Sequence, residues 1–181
     1  MPRRDVKPIA KSLIEHFNGI ANVLDADVEE LVKFGFTERM AVDMTFLRQL
    51  TTLLRFEKVS DRPFLETSEE AVLFLQAKIG SSRKETLMVF YLDAGRRIVS
   101  TWEHQGTVNS AAVAPREVVE RALLCHAVGV ILVHNHPSGS CKPSAADVGF
   151  TQTIYNALDL FGIKLLDHLI VTKDSYRSLL K

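Results

Sequence analysis

The first third of the chain carries apolar residues at helical spacing. Leu13, Ile14 and Phe17 repeat at helical spacing, and residues 27–34 form a second, shorter stretch of this kind. Thr37 lies where it can cap a longer helix with one apolar face. A polar stretch, residues 57–63, then interrupts the pattern and is the best candidate for a linker. The pattern predicts a small all-helical unit over residues 1–60.

The pattern changes after this stretch, where helix-like and strand-like segments alternate. Thr67–Lys78 has helical spacing and begins with a capping box that Glu70 completes. Thr86–Leu92 and Arg97–Trp102 are rich in strand formers, and the turn residues 93–95 separate them. We expect a helix followed by a β-hairpin.

The remaining segments indicate a sheet covered by helices. Pro115 suits the first turn of a helix that would extend to His126, and Ala127–Val133 is a continuous apolar run typical of a buried strand. A helix over Ala145–Leu160 and a strand over Lys164–Thr172 follow. This order predicts an α/β sandwich over residues 63–181, in which helices pack on a curved mixed sheet.

Charge is balanced along the whole chain of 181 residues, which has 22 basic and 22 acidic side chains. Residues 1–62 carry ten of each sign, which leaves twelve of each sign for residues 63–181. A strong nucleic-acid binder needs a basic surface to neutralise phosphates. We therefore expect weak DNA binding or none.

The cysteine content and the length of the apolar segments indicate in which cellular compartment the protein lies. Cys125 and Cys141 are too few for a disulfide framework, and the sequence has no CxxC pair. The first residues lack the apolar segment of a signal peptide, and no apolar run reaches the length of about 18 residues that a membrane helix requires. These features predict a folded cytoplasmic protein without membrane attachment.

The most distinctive chemistry lies directly after the apolar run 127–133. Alternate residues of an extended segment point to the same side, so His134 and His136 can present both imidazoles to one point. A turn at Gly139 would let the loop fold back and deliver Asp147 from the first turn of the next helix. Three such ligands leave a fourth tetrahedral position open for water, as in catalytic zinc sites.

Simpler interpretations of the same residues stay open. Ser144 and Asp147 have capping-box spacing and would satisfy free N–H groups at a helix start without any catalytic role. A histidine beside an apolar strand is more often a hydrogen-bonded structural residue than a ligand. Cys141 lies in the loop, but a complete nitrogen and oxygen set is nearby and we do not count this thiol as a ligand.

The same residues resemble a known motif. His134-x-His136, seven residues, Ser144, two residues and Asp147 resemble the JAMM motif of zinc metalloproteases, and the flanking residues resemble the bacterial RadC family more closely still. The resemblance covers residues 63–181. The flanking matches are Lys84-Glu85, 106–110, Pro115-Arg-Glu117, 134–139, Pro143-Ser144 and Leu166-Asp-His168.

The resemblance implies a JAB/MPN fold, a cytidine-deaminase-like sandwich, and a fourth functional residue. This residue is a glutamate ahead of the first strand, which matches Glu85; the pattern alone does not single it out from Glu66, Glu103 or Glu117. Zn²⁺ held by the two histidines and the aspartate would activate a water, with Glu85 as general base and Ser144 stabilising the oxyanion. The implied activity is that of a metallopeptidase or isopeptidase, and an alternative is a DNA-repair-associated accessory protein that binds DNA or a protein.

Two segments depart from the family pattern, and a third has two possible roles. RadC proteins usually carry a helix-hairpin-helix-like unit with a Gly-x-Gly hairpin, whereas residues 33–38 keep one glycine, and the acidic Glu38 would repel phosphate at a helix start. Ser140-Cys141 replaces the more usual acidic and proline residues. Asp167 and His168 interrupt an apolar strand, where either a role in orienting a zinc ligand or plain structural hydrogen bonding is open.

Overall fold

The computed structural model describes residues 7–60, 69–106 and 113–180. The chain divides into two compact units, Met1–Leu54 and Arg55–Lys181. The predicted capping residue Thr67, the end of the predicted linker and most of the motif at 106–110 lie outside the described residues. None of the described helices is long and apolar enough to cross a bilayer.

The first unit is helical in its described residues. Its helices are α1 (Lys7–Phe17), α2 (Ile20–Asp25), α3 (Val28–Phe34) and α4 (Glu38–Ser60), the last of which continues into the second unit. Their small core is formed by the buried side chains of Val23, Ala26, Leu31 and Ala41, and the partly buried Leu13 and Phe17 of α1 pack against it. The hydroxyl of Thr37 accepts a 3.2 Å hydrogen bond from the Met40 N–H, so this residue caps α4 as the pattern predicted.

In the hairpin between α3 and α4, the backbone N–H groups of Gly35 and Phe36 donate to carbonyl oxygens of α3. Gly35 has φ +119°, a left-handed conformation that favours glycine, and its N–H donates to the carbonyl of Val32 at 3.0 Å. The N–H of Phe36 donates to the carbonyl of Leu31, also at 3.0 Å. These bonds complete the end of α3. Neither N–H is left to bind a phosphate.

The second unit is a mixed α/β domain, as predicted. Its elements are α5 (Glu69–Leu75), which widens into a π-helical turn (Gln76–Gly80), β1 (Thr86–Leu92), β2 (Ile98–Gln105), α6 (Pro115–Leu124), β3 (Gly129–Asn135), α7 (Ala145–Asp159), β4 (Lys164–Val171) and β5 (Tyr176–Ser178). The sheet order is β2-β1-β3-β4-β5, with β3 and β4 parallel and the other pairs antiparallel. The short strand β5 was not predicted.

The central strands β1 and β3 are buried along their whole length, which explains their continuous apolar sequences. One face of the sheet, with Leu87, Val89 and Leu132, packs against α6 and α7. The other face, with Phe90 and Ile131, packs against α5. Because side chains alternate along β3, His134 follows Leu132 on the face that α7 covers.

Candidate metal centre

Strand β3 brings two imidazoles together at its carboxyl end. His134 is its last residue but one and is fully buried, whereas His136 lies just beyond the strand with a side chain 15% exposed. Their Nε2 atoms are 2.9 Å apart. The two rings therefore meet at one point, as the spacing of the two histidines predicted.

Helix α7 delivers a carboxylate to the same point. Asp147 Oδ1 lies 3.3 Å from Nε2 of His134, and Oδ2 lies 3.4 Å from Nε2 of His136. The capping box is also formed: the Ser144 N–H donates to Asp147 Oδ2 at 2.6 Å, and Ser144 Oγ accepts from the Asp147 N–H at 3.1 Å. Capping and membership of the cluster are thus combined in one side chain rather than being alternatives.

Glu85 completes the group from the residue just before β1. One ligand atom from each of Glu85, His134, His136 and Asp147 lies within 4.8 Å of the others. The pairing of β1 with β3 explains this position, because Leu87 pairs with His134 and the same antiparallel register carried two residues further sets Glu85 opposite His136. The sequence pattern missed Glu85 because register is not readable from either strand alone.

The donor atoms suit a zinc ion. His136 Nδ1 is 2.7 Å from the carbonyl oxygen of Ser140, which only accepts, so this nitrogen carries the proton and Nε2 presents a lone pair. Ligand atoms about 2.0–2.1 Å from a tetrahedral zinc are about 3.3 Å from one another. The contacts of 3.3 and 3.4 Å between the imidazoles and Asp147 are close to that spacing, and the 2.9 Å between the two Nε2 atoms is somewhat shorter. The residues therefore fit the metal that the motif implies.

Comparison with known proteins agrees with the fold and the motif. A family model described as the RadC-like JAB domain matches residues 65–181. The chain belongs to the RadC family. Individual relatives support the assignment: a UPF0758 protein of Fusobacterium nucleatum is 34% identical over 192 residues, covering 100% of this chain and 82% of the relative.

Two further relatives are also UPF0758 proteins. A UPF0758 protein of Variovorax paradoxus is 36% identical over 172 residues, covering 93% of this chain and 76% of the relative. A UPF0758 protein of Actinobacillus pleuropneumoniae is 31% identical over 175 residues, covering 96% and 80%. The similarity to these relatives thus extends through the helical unit as well as the JAB domain.

Electrostatics in this RadC-family site favour an ionised carboxylate. Burial by itself would raise the pKa of Asp147, but the neighbouring His134 and the hydrogen bonds with Ser144 outweigh it and hold the pKa well below its ordinary value. The carboxylate is therefore charged at neutral pH. An anionic oxygen is the form that binds a metal.

Below the cluster lie two buried polar side chains, His168 and Thr151. Nε2 of His168 is 2.8 Å from Nδ1 of His134, and Nδ1 of His168 is 2.6 Å from Oγ1 of Thr151. Burial, followed by the nearby His134, lowers the pKa of His168 to about 3, so its ring is neutral. The sequence did not decide whether His168 contacts a zinc ligand. In the structure its ring lies directly against His134, a member of the cluster.

The other candidates have different partners. Asp167 Oδ1 accepts 2.7 Å hydrogen bonds from the backbone N–H of His168 and from the Ser178 hydroxyl, which joins β4 to β5. Sγ of Cys141 lies 3.1 Å from Oγ of Ser175, and this cysteine is not one of the four clustered residues. Ser144 is exposed at the start of α7, and its own hydroxyl proton is not used in the capping bond.

Proposed function

We propose that this RadC-family protein is a zinc-dependent peptidase or isopeptidase that hydrolyses an amide bond in a peptide or protein. His134, His136 and Asp147 would hold the zinc, and Glu85 would be the general base. The observation that carries the proposal is the convergence of two imidazoles and two carboxylates within 4.8 Å. They come from three separate parts of the chain: the start of β1, the end of β3 and the start of α7.

Bound zinc would lower the pKa of the water and would polarise the substrate carbonyl. The half-buried Glu85 carboxylate would accept a proton from the attacking water and return it to the nitrogen of the departing amine. The Ser144 hydroxyl would donate a hydrogen bond to the carbonyl oxygen as negative charge develops on it. The exposed position of Ser144 leaves room for a substrate beside it.

The role of Glu85 separates a catalytic site from a structural one. A structural zinc site has four protein ligands, whereas a catalytic site has three and keeps one position open. If Glu85 is the base, replacing it with glutamine leaves the three ligands in place and removes proton transfer. If Glu85 is a fourth ligand, the same substitution weakens zinc binding.

A peptide-cleavage assay tests the proposal. The full chain with one equivalent of zinc is incubated with a pool of peptides and lysine-linked isopeptides, and new termini are identified by mass spectrometry. Cleavage should stop with chelation and return with added zinc. Glu85→Gln should keep zinc while slowing cleavage by about 10²- to 10⁴-fold.

Glu103→Gln is the matched control. This glutamate forms a surface ion pair with Lys78 at 3.2 Å, and its substitution should leave cleavage unchanged. Cleavage that survives complete chelation would refute the proposal, as would an undiminished rate for Glu85→Gln.

A further inference from the structure

Three buried hydrogen bonds connect two members of the metal cluster from behind. His134 Nδ1 lies 2.8 Å from His168 Nε2, and His168 Nδ1 lies 2.6 Å from Thr151 Oγ1. Thr151 Oγ1 then lies 2.6 Å from the backbone carbonyl oxygen of Asp147. The chain of bonds runs from a ligand on β3, through β4, to a ligand on α7.

The direction of each hydrogen bond follows from the Asp147 carbonyl at the end of this chain of bonds. A carbonyl oxygen only accepts, so Thr151 donates its single hydroxyl hydrogen to the Asp147 carbonyl, and Thr151 must accept a hydrogen bond from the Nδ1–H of His168. A neutral imidazole has one N–H, which leaves Nε2 of His168 as an acceptor. His134 therefore donates through Nδ1, and its Nε2 presents a lone pair toward Asp147. Nε2 of His136, which also presents a lone pair because its Nδ1 donates to Ser140, lies 2.9 Å away, and a bound cation would stabilise this close pair of acceptors.

We infer that His168 and Thr151 are positioning residues that hold His134 in the tautomer required for binding zinc through Nε2. The inference rests on the proposed zinc site. The hydrogen bond to His168 keeps the proton of His134 on Nδ1, so binding zinc through Nε2 requires no rotation of this buried ring. Outer partners of this kind affect metal affinity by about 10- to 100-fold.

Imidazole nitrogen NMR of the metal-free full chain tests the tautomers without any substitution. We expect the ¹⁵N shifts to show His168 protonated at Nδ1 and unprotonated at Nε2, with His134 protonated at Nδ1. His168 protonated at Nε2 would overturn the inference, because the bond to His134 would then run in the opposite direction.

Zinc affinity, measured by competition with a chromophoric chelator, tests the consequence. Thr151→Val removes the hydroxyl with little change in shape and should weaken zinc binding by about 10- to 100-fold, while Thr151→Ser should bind nearly as the wild type. Thr153→Val is the matched control, since the hydroxyl of Thr153 donates to the Gly149 carbonyl on the same helix at 2.8 Å but is exposed.

The outcomes separate this inference from the zinc site itself. If the wild type binds zinc and Thr151→Val binds it equally well, the positioning role is wrong while the zinc site stands. If the wild type binds no zinc, both are wrong. Weakened binding in Thr151→Val, together with wild-type binding in Thr151→Ser and Thr153→Val, supports the inference.

Discussion

The side-chain oxygen of Asn135 accepts a 2.8 Å hydrogen bond from the backbone N–H of Thr86. The amide nitrogen of Asn135 donates to the carbonyls of Ser82 and Lys84 at 3.0 and 3.2 Å. The residue between the two histidines thus holds the backbone on both sides of Glu85. One buried amide ties the backbone around Glu85 to the strand that carries His134.

Asn135→Asp should therefore be strongly destabilising. The carboxylate keeps an acceptor for Thr86 but loses both donors and faces two carbonyl oxygens. We expect a loss of about 2–3 kcal/mol in the free energy of unfolding, measured by urea denaturation. Asn156→Asp is the control, since exposed Asn156 only accepts a bond from Gln152 and the change should be within about 0.5 kcal/mol. Equal stability of the two variants would contradict this role of Asn135.

Two glycines should respond in opposite ways to substitution by alanine. A Cβ at Gly80 would lie 2.9 Å from the backbone oxygen of Thr172, so Gly80→Ala should destabilise the fold by about 1–3 kcal/mol. A Cβ at Gly149, in α7, would meet nothing within 4 Å, so Gly149→Ala should stabilise it by about 0.5–1 kcal/mol. Thermal unfolding of the two variants checks both signs, and a stabilised Gly80→Ala would show that the close approach is absent.

Tyr91 should make stability depend on pH in the alkaline range. Burial raises its pKa well above the ordinary value, although Arg121 acts in the opposite direction. Above a pH of about 10 the unfolded chain loses the phenol proton while the folded chain keeps it, so stability falls as pH rises.

Tyr91→Phe should remove this component of the pH dependence. The difference in unfolding free energy between variant and wild type should shift in favour of the variant above pH 10, by at most about 1.4 kcal/mol per pH unit. Urea denaturation at pH 7 to 11 measures it. A difference that stays constant over this range would show that Tyr91 ionises equally in both states.

The sequence predicted those features of the fold and site that depend on local pattern. The buried strands β1 and β3 follow from their apolar runs, and His134, His136 and Asp147 follow from strand alternation and a capping box. Helix α6 ends at Leu124, before the predicted His126, because His126 has φ +53° and cannot continue the helix.

Features that depend on distant contacts were beyond the sequence pattern. The proximity of Glu85 to the imidazoles depends on the register between β1 and β3, and only the family resemblance identified this residue. The three residues of β5 show no apolar alternation, and their strand conformation depends on pairing with β4. The π-helical turn at Gln76–Gly80 likewise has no signature in the apolar spacing.

The metal content of the purified chain tests the central claim most directly. Elemental analysis and native mass spectrometry should find one zinc per wild-type chain, no stoichiometric zinc in His134→Ala or Asp147→Ala, and full occupancy in His16→Ala, whose histidine lies in the helical unit. A wild-type chain that takes up no zinc when zinc is supplied, or an Asp147→Ala variant that binds it as fully as the wild type, would contradict the account.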